Sequence, residues 1–293
     1  MSDKWKIIAE SIIGHSHVRK NLPNQDAYTY SGDNGEYPII SSIADGHGGK
    51  DYFRSDRGSR FACDAAIASL SNYYYQDPTF STPHMCDAIC KEILKEWKTY
   101  ILEDIRKYPF SGEESEIIEG GKSSRKFNLP MDPDYEQIRP YGSTVLAVII
   151  TKSYAVFFQL GDGDIISYGS QDHIFSKVIP ADDNMIGNET YSLCMPESWR
   201  DFKVKRLEPV PEFIMLSTDG YANSFVDESG FITAARDLHS FFYKAEDFDI
   251  GVTSVQSNLK EWLTITSQKG SGDDITVCMI VRDTSDSIRS GKE

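Results

Sequence analysis

Aspartates recur along the chain where an apolar run meets a glycine turn: Asp45 in IADGHGG, Asp162 and Asp164 in QLGDGD, Asp219 in STDG, and Asp273 with Asp274 in GSGDDIT. Asp26 in LPNQDAYTY opens a further apolar stretch. Carboxylates at strand ends can converge at one edge of a sheet, where they repel one another unless a cation neutralises them. An oxygen-only donor set with no Cys or His cluster beside it suits hard ions, Mg²⁺ or Mn²⁺, rather than zinc. Two such ions about 3.5–4 Å apart can share a carboxylate and make water nucleophilic at neutral pH, so metal-assisted phosphoryl hydrolysis is the natural candidate chemistry. Any one Asp-Gly pair is a common turn former. Their repetition after apolar strands is what points beyond turns.

Positioning such residues requires strands that end together. Residues 6–13, 37–44, 143–151, 154–160, 164–168, 173–179, 201–207, 213–217 and 275–281 read as strands from apolar or alternating patterns bounded by turn residues. Helical spacing marks 51–75, 83–107, 230–244 and 248–266. Short connections between the later strands favour antiparallel neighbours, giving an α+β protein with helices packed on antiparallel sheets. Residues 108–140, rich in proline and charge, read as an irregular insertion, and 284–293 as a polar tail, so 1–283 is expected to form one domain.

Composition bounds the partners. A net charge of −15 over 293 residues argues against nucleic acid, whose phosphates need clustered Lys and Arg. No stretch resembles a signal peptide or a membrane span, which places the chain in the cytoplasm, away from membranes. Cys63, Cys86, Cys90, Cys194 and Cys278 are odd in number and lack zinc-finger spacing, so they are expected to be reduced, mostly buried thiols.

The ordered set NQDA, ADGHGG, YGSTV, GDGD, STDG and GSGDDIT resembles the metal-dependent protein serine/threonine phosphatases of type 2C, especially their compact bacterial branch, from about Gly14 to Val281. The resemblance implies a four-layer α-β-β-α sandwich of two antiparallel sheets flanked by helices, and a flap-like segment over 182–193. It further implies a monomer that hydrolyses phosphoserine and phosphothreonine in phosphorylated proteins, using water activated at a centre of two Mg²⁺ or Mn²⁺ ions. By position, Asp45 would bridge the ions, the Gly46 carbonyl would help hold one, and Asp219 and Asp273 would complete the other. Asp26 would hold metal-bound water, Asp162 would match a third, weaker site, and His47 would be the general acid. Arg19, beside Lys20, is the candidate for the family's phosphate clamp, or else a solvated loop charge.

Gln25 stands where many family members carry Glu, and Asp274 where Asn is frequent, leaving Asp273 as the better match to the metal ligand. EGGKSS lacks the earlier glycine and the strand of a phosphate-binding loop. His15 and His17 read as structural, and Tyr73, Tyr74 and Tyr75 as a helix end packed on the body. The rival functions are a pseudo-phosphatase that binds phosphoproteins without turnover and a hydrolase of small phosphate esters.

Overall fold

A computed structural model describes residues 4–32, 35–77, 79, 83–123, 134–169, 173–180 and 190–284. Strand β1 (Trp5–Ile12) leads through a short helix, α1 (His15–Lys20), to β2 (Asp26–Ser31) and β3 (Ile39–Asp45). Helices α2 (Ser55–Gln76), α3 (Pro83–Lys107), α4 (Gly112–Ser123) and the single turn α5 (Tyr135–Ile138) follow. Then come β4 (Val145–Ile150), β5 (Ala155–Leu160), β6 (Asp164–Tyr168), β7 (Phe175–Lys177), β8 (Lys203–Leu207) and β9 (Phe213–Ser217). Helices α6 (Asp219–Ala222), α7 (Glu228–Tyr243) and α8 (Phe248–Lys269) precede the last strand, β10 (Ile275–Arg282).

The strands form two antiparallel five-stranded sheets, ordered β1-β10-β9-β6-β7 and β2-β3-β4-β5-β8. Because successive side chains on a strand point to opposite faces, each central strand feeds two cores. In β3, Ile40 and Ala44 pack beneath α2 and α3, while Ile39 and Ile43 face the other sheet. Val145, Ala147 and Ile149 of β4 join the first core, and Leu146, Val148 and Ile150 the inter-sheet core. Phe213 and Met215 of β9 meet Phe231, Leu238 and Leu259 of α7 and α8, whereas Ile214 and Leu216 turn inward. The outcome is the four-layer α-β-β-α sandwich.

Two differences from the sequence reading concern the connections. Residues 112–123 form a regular helix inside the span read as irregular, and Ser111 explains it: its Oγ accepts from Glu114 N at 3.1 Å while Glu114 Oε2 accepts from Ser111 N at 2.8 Å. That reciprocal capping satisfies two otherwise orphan amides at the helix start. α1, only six residues long, is too short to show a helical period in the sequence. Residues 182–189 of the flap-like segment and 285–293 of the tail lie outside the described residues.

Candidate active site

The sheet register brings the acidic turns together. Asp26 at the start of β2 pairs with Asp45 at the end of β3, and Asp164 at the start of β6 pairs with Ser217 at the end of β9. Asp219 follows β9 and Asp273 precedes its antiparallel neighbour β10, so all these turns face one end of the sandwich. There a cleft of about 230 Å³ is lined by Asp45, Gly46, His47, Asp162, Asp219 and Asp273, with Gln25, Thr144 and His17. Asp26 is buried behind it, its Oδ2 accepting from Thr218 Oγ1 at 2.7 Å.

The other motifs hold this turn in place. Asp45 N donates to Thr144 Oγ1 at 3.0 Å, and the Asp45 carbonyl accepts from Thr144 N at 2.9 Å and Ser143 Oγ at 2.9 Å. A Cβ at Gly46 would stand 2.5 Å from the Ser55 carbonyl oxygen and 2.7 Å from that of Gln25, so only glycine fits the approach. His47 N donates to Gly142 O at 3.0 Å, and its ring stands edge-on to Tyr52 with centroids 5.0 Å apart. Burial lowers the His47 pKa, and the carboxylate of Asp162 opposes that shift.

Gln25 does what a glutamate could not. Its Nε2 donates to His47 O at 3.1 Å and to Ser55 Oγ at 2.5 Å, tying the glycine turn to α2. Asp274 is equally occupied, accepting from Gly14 N at 2.6 Å and Gln25 N at 2.7 Å, while the Asp273 side chain remains half exposed. This division explains two adjacent aspartates, one bracing three chain segments and one facing the cleft.

Crowding dominates the electrostatics. Asp45 is pushed well above the usual carboxylate range, first by burial and then by Asp26 and Asp219. Asp219 rises to about 6, chiefly through burial and then through Asp162. Its Oδ1 is buried with no donor, although Asn223 Nδ2 donates to Oδ2 at 3.0 Å. Among the described residues no three His, Cys, Asp or Glu side chains close on a common point as ligands of an ion. The donor set nonetheless fits a hard cation: acceptor-only oxygens, a buried oxygen without a donor, and mutual repulsion that a positive charge would relieve.

Arg19 lies exposed on α1 and is not among the cleft residues. His17, two positions earlier, is. Its Nδ1 stands 3.0 Å from Asp274 Oδ2 and its Nε2 3.8 Å from Asp273 Oδ1. Asp162 is exposed and accepts from Thr190 Oγ1 at 2.5 Å.

An α-β-β-α sandwich with an acidic, histidine-containing cleft at one end defines a class of fold shared with known phosphatases. The sequence model of the protein phosphatase 2C family matches residues 13–264, and the chain belongs to that family. Among solved structures it is similar to PppA, a regulatory component of the type VI secretion system in Pseudomonas aeruginosa, at 15% identity and a TM-score of 0.56, covering 95% of this chain and 98% of that one. It is also similar to the catalytic domain of the serine/threonine phosphatase PstP in complex with two manganese ions, at 16% identity and a TM-score of 0.54, covering 95% and 98%. The Mycobacterium tuberculosis phosphatase PstP/Ppp gives 14% identity and a TM-score of 0.54, covering 94% and 98%. No curated protein matches the chain. Among the described residues, no helix is long and apolar enough to cross a membrane.

Proposed function

We propose that this chain is a metal-dependent protein serine/threonine phosphatase that hydrolyses phosphoserine and phosphothreonine. The observation that carries the reading is the convergence of Asp45, Asp219, Asp273 and His47 on one cleft in a chain of the 2C family. Asp45, the Gly46 carbonyl, Asp219 and Asp273 would hold two Mg²⁺ or Mn²⁺ ions, with Asp162 at a third, weaker position. Two manganese ions in the related PstP structure support this choice. When bound, the ions supply Lewis acidity, lowering the pKa of water and offsetting phosphoryl charge. Asp26, held by Thr218, accepts a hydrogen bond from attacking water. His47 gives its proton to the departing serine or threonine oxygen, a poor leaving group that needs one. The chain acts in the cytoplasm as a monomer on phosphorylated proteins.

Hydrolysis of p-nitrophenyl phosphate with Mn²⁺, with Mg²⁺ and with EDTA tests the reading, with Asp219→Asn as control. Activity should require added metal and fall at least about a hundredfold in the variant. A folded protein inactive with either metal would leave a phosphoprotein-binding module instead.

A further inference from the structure

The short helix α1 delivers a histidine to the acidic cleft. Gly14, just before the helix, lies so close to the last acidic turn that a Cβ there would stand 2.3 Å from the Asp273 carbonyl carbon. Ser16 N donates to Gly272 O at 2.8 Å, and Gly14 N to Asp274 Oδ1 at 2.6 Å. These contacts set His17 against Asp273 and Asp274, its side chain 12% exposed at the cleft wall.

The two ring nitrogens of His17 differ in their surroundings. Nδ1 is sealed from solvent 3.0 Å from Asp274 Oδ2, yet the ring is not turned to complete a hydrogen bond with it. Nε2 is not sealed, and it lies 3.8 Å from Asp273 Oδ1, too far for a hydrogen bond. A largely buried imidazole without hydrogen bonds calls for a partner of another kind. Bonds of about 2.1 Å put two donors of one octahedral ion about 3.0 Å apart when at a right angle and about 4.2 Å apart when opposite. The separation of Nε2 from Asp273 Oδ1 falls inside that range. Asp274 favours the matching tautomer: a carboxylate only accepts, so beside Nδ1 it calls for the proton there and leaves the lone pair on Nε2. Histidines that bind metals are commonly held by an outer carboxylate in this way.

Resting on the phosphatase reading and its metal centre, we infer that His17 Nε2 is a further ligand of the ion held by Asp273, with Asp274 as the positioning residue behind it. One nitrogen then joins an otherwise all-oxygen donor set. The consequence is metal choice, because imidazole is a ligand of transition ions whereas Mg²⁺ keeps to oxygen and water. His17 biases the centre toward Mn²⁺.

Calorimetric titration of the intact, metal-free chain with Mn²⁺ and with Mg²⁺ tests this, together with electron spin-echo spectroscopy of the Mn²⁺-loaded protein, which detects nitrogen bound to the ion. The wild type should show imidazole nitrogen modulation of the Mn²⁺ echo. His17→Ala should lose that modulation and weaken one Mn²⁺ site by at least about tenfold, while Mg²⁺ affinity changes by less than about threefold. His17→Gln, which offers an amide oxygen over a similar reach, should lack the modulation as well. Modulation absent from the wild type with its sites filled, or unchanged in both variants, overturns the inference. So does a His17→Ala protein that binds Mn²⁺ as the wild type does but is less inhibited by inorganic phosphate, which would make His17 a phosphate contact. Mn²⁺ bound without any part played by His17 removes only this inference, whereas a wild type that binds neither metal removes the phosphatase reading with it.

Discussion

His47 sits in a glycine turn whose backbone is fixed on both sides, by Gly142 O accepting from its N–H and by Gln25 Nε2 donating to its carbonyl. A proton donor held that way should matter in proportion to how badly the leaving group departs. His47→Ala is therefore expected to slow phosphopeptide hydrolysis by about a hundredfold or more, and p-nitrophenyl phosphate hydrolysis by less than about tenfold, because nitrophenolate leaves without help. Equal losses on the two substrates, measured on the same preparation, would take the acid role away from His47. At this scale the sequence was legible where one residue type has one use. Aspartates at strand ends and the glycine that lets Gly46 approach Ser55 were visible as pattern. The job of Gln25 was not, because two hydrogen bonds to residues 22 and 30 positions away leave no local trace.

Elements were legible where periodicity was long. The central strands and the helices α2, α3, α7 and α8 followed from it, whereas α1 is too short to show a period. So short a helix gives no sign in the sequence of which of its basic side chains faces the cleft. Residues two apart on a helix point to nearly opposite sides, so His17 turns inward where Arg19 turns to solvent. α4 was masked by Gly120 and Gly121, yet its capping pair, Ser111 and Glu114, was readable. Glu114 also anchors α4 to the start of α2, through Arg54 Nε and Nη2 at 2.8 Å each. Arg54 is 6% exposed, bonds Tyr141 Oη at 2.7 Å and stacks over Phe110 at 4.5 Å. Arg54→Met should keep the apolar stem but strand Glu114 without its cation, costing about 3 kcal/mol of unfolding free energy. Urea denaturation checks this, and a loss below about 1 kcal/mol would mean that α4 is held by other contacts.

For the molecule as a whole, the acidic cleft is a liability that its proposed ligands would remove. Asp219, raised by burial to about 6 from an ordinary value near 3.8, favours folding fully only when protonated. Its contribution is present below the unfolded pKa and lost as pH rises through about 6, so at pH 8 the ionised side chain opposes folding of the metal-free protein. Asparagine carries no such charge and can still accept from Asn223. Metal-free Asp219→Asn is thus expected to melt several degrees above the wild type at pH 8, with the gap closing as pH falls below about 4. His239, lowered to about 4 by burial and Lys244, destabilises the fold in the opposite direction as pH falls from about 6.5 to about 4, but it titrates in both proteins and cancels in the difference. Saturating Mn²⁺ should reverse the order, raising the wild-type melting temperature by mass action on the folded state and leaving the variant nearly unmoved. Calorimetric scans of both proteins with EDTA and with Mn²⁺ read all four values. A variant no more stable than the wild type in EDTA would refute the crowding argument, and equal Mn²⁺ shifts would show that Asp219 holds no ion.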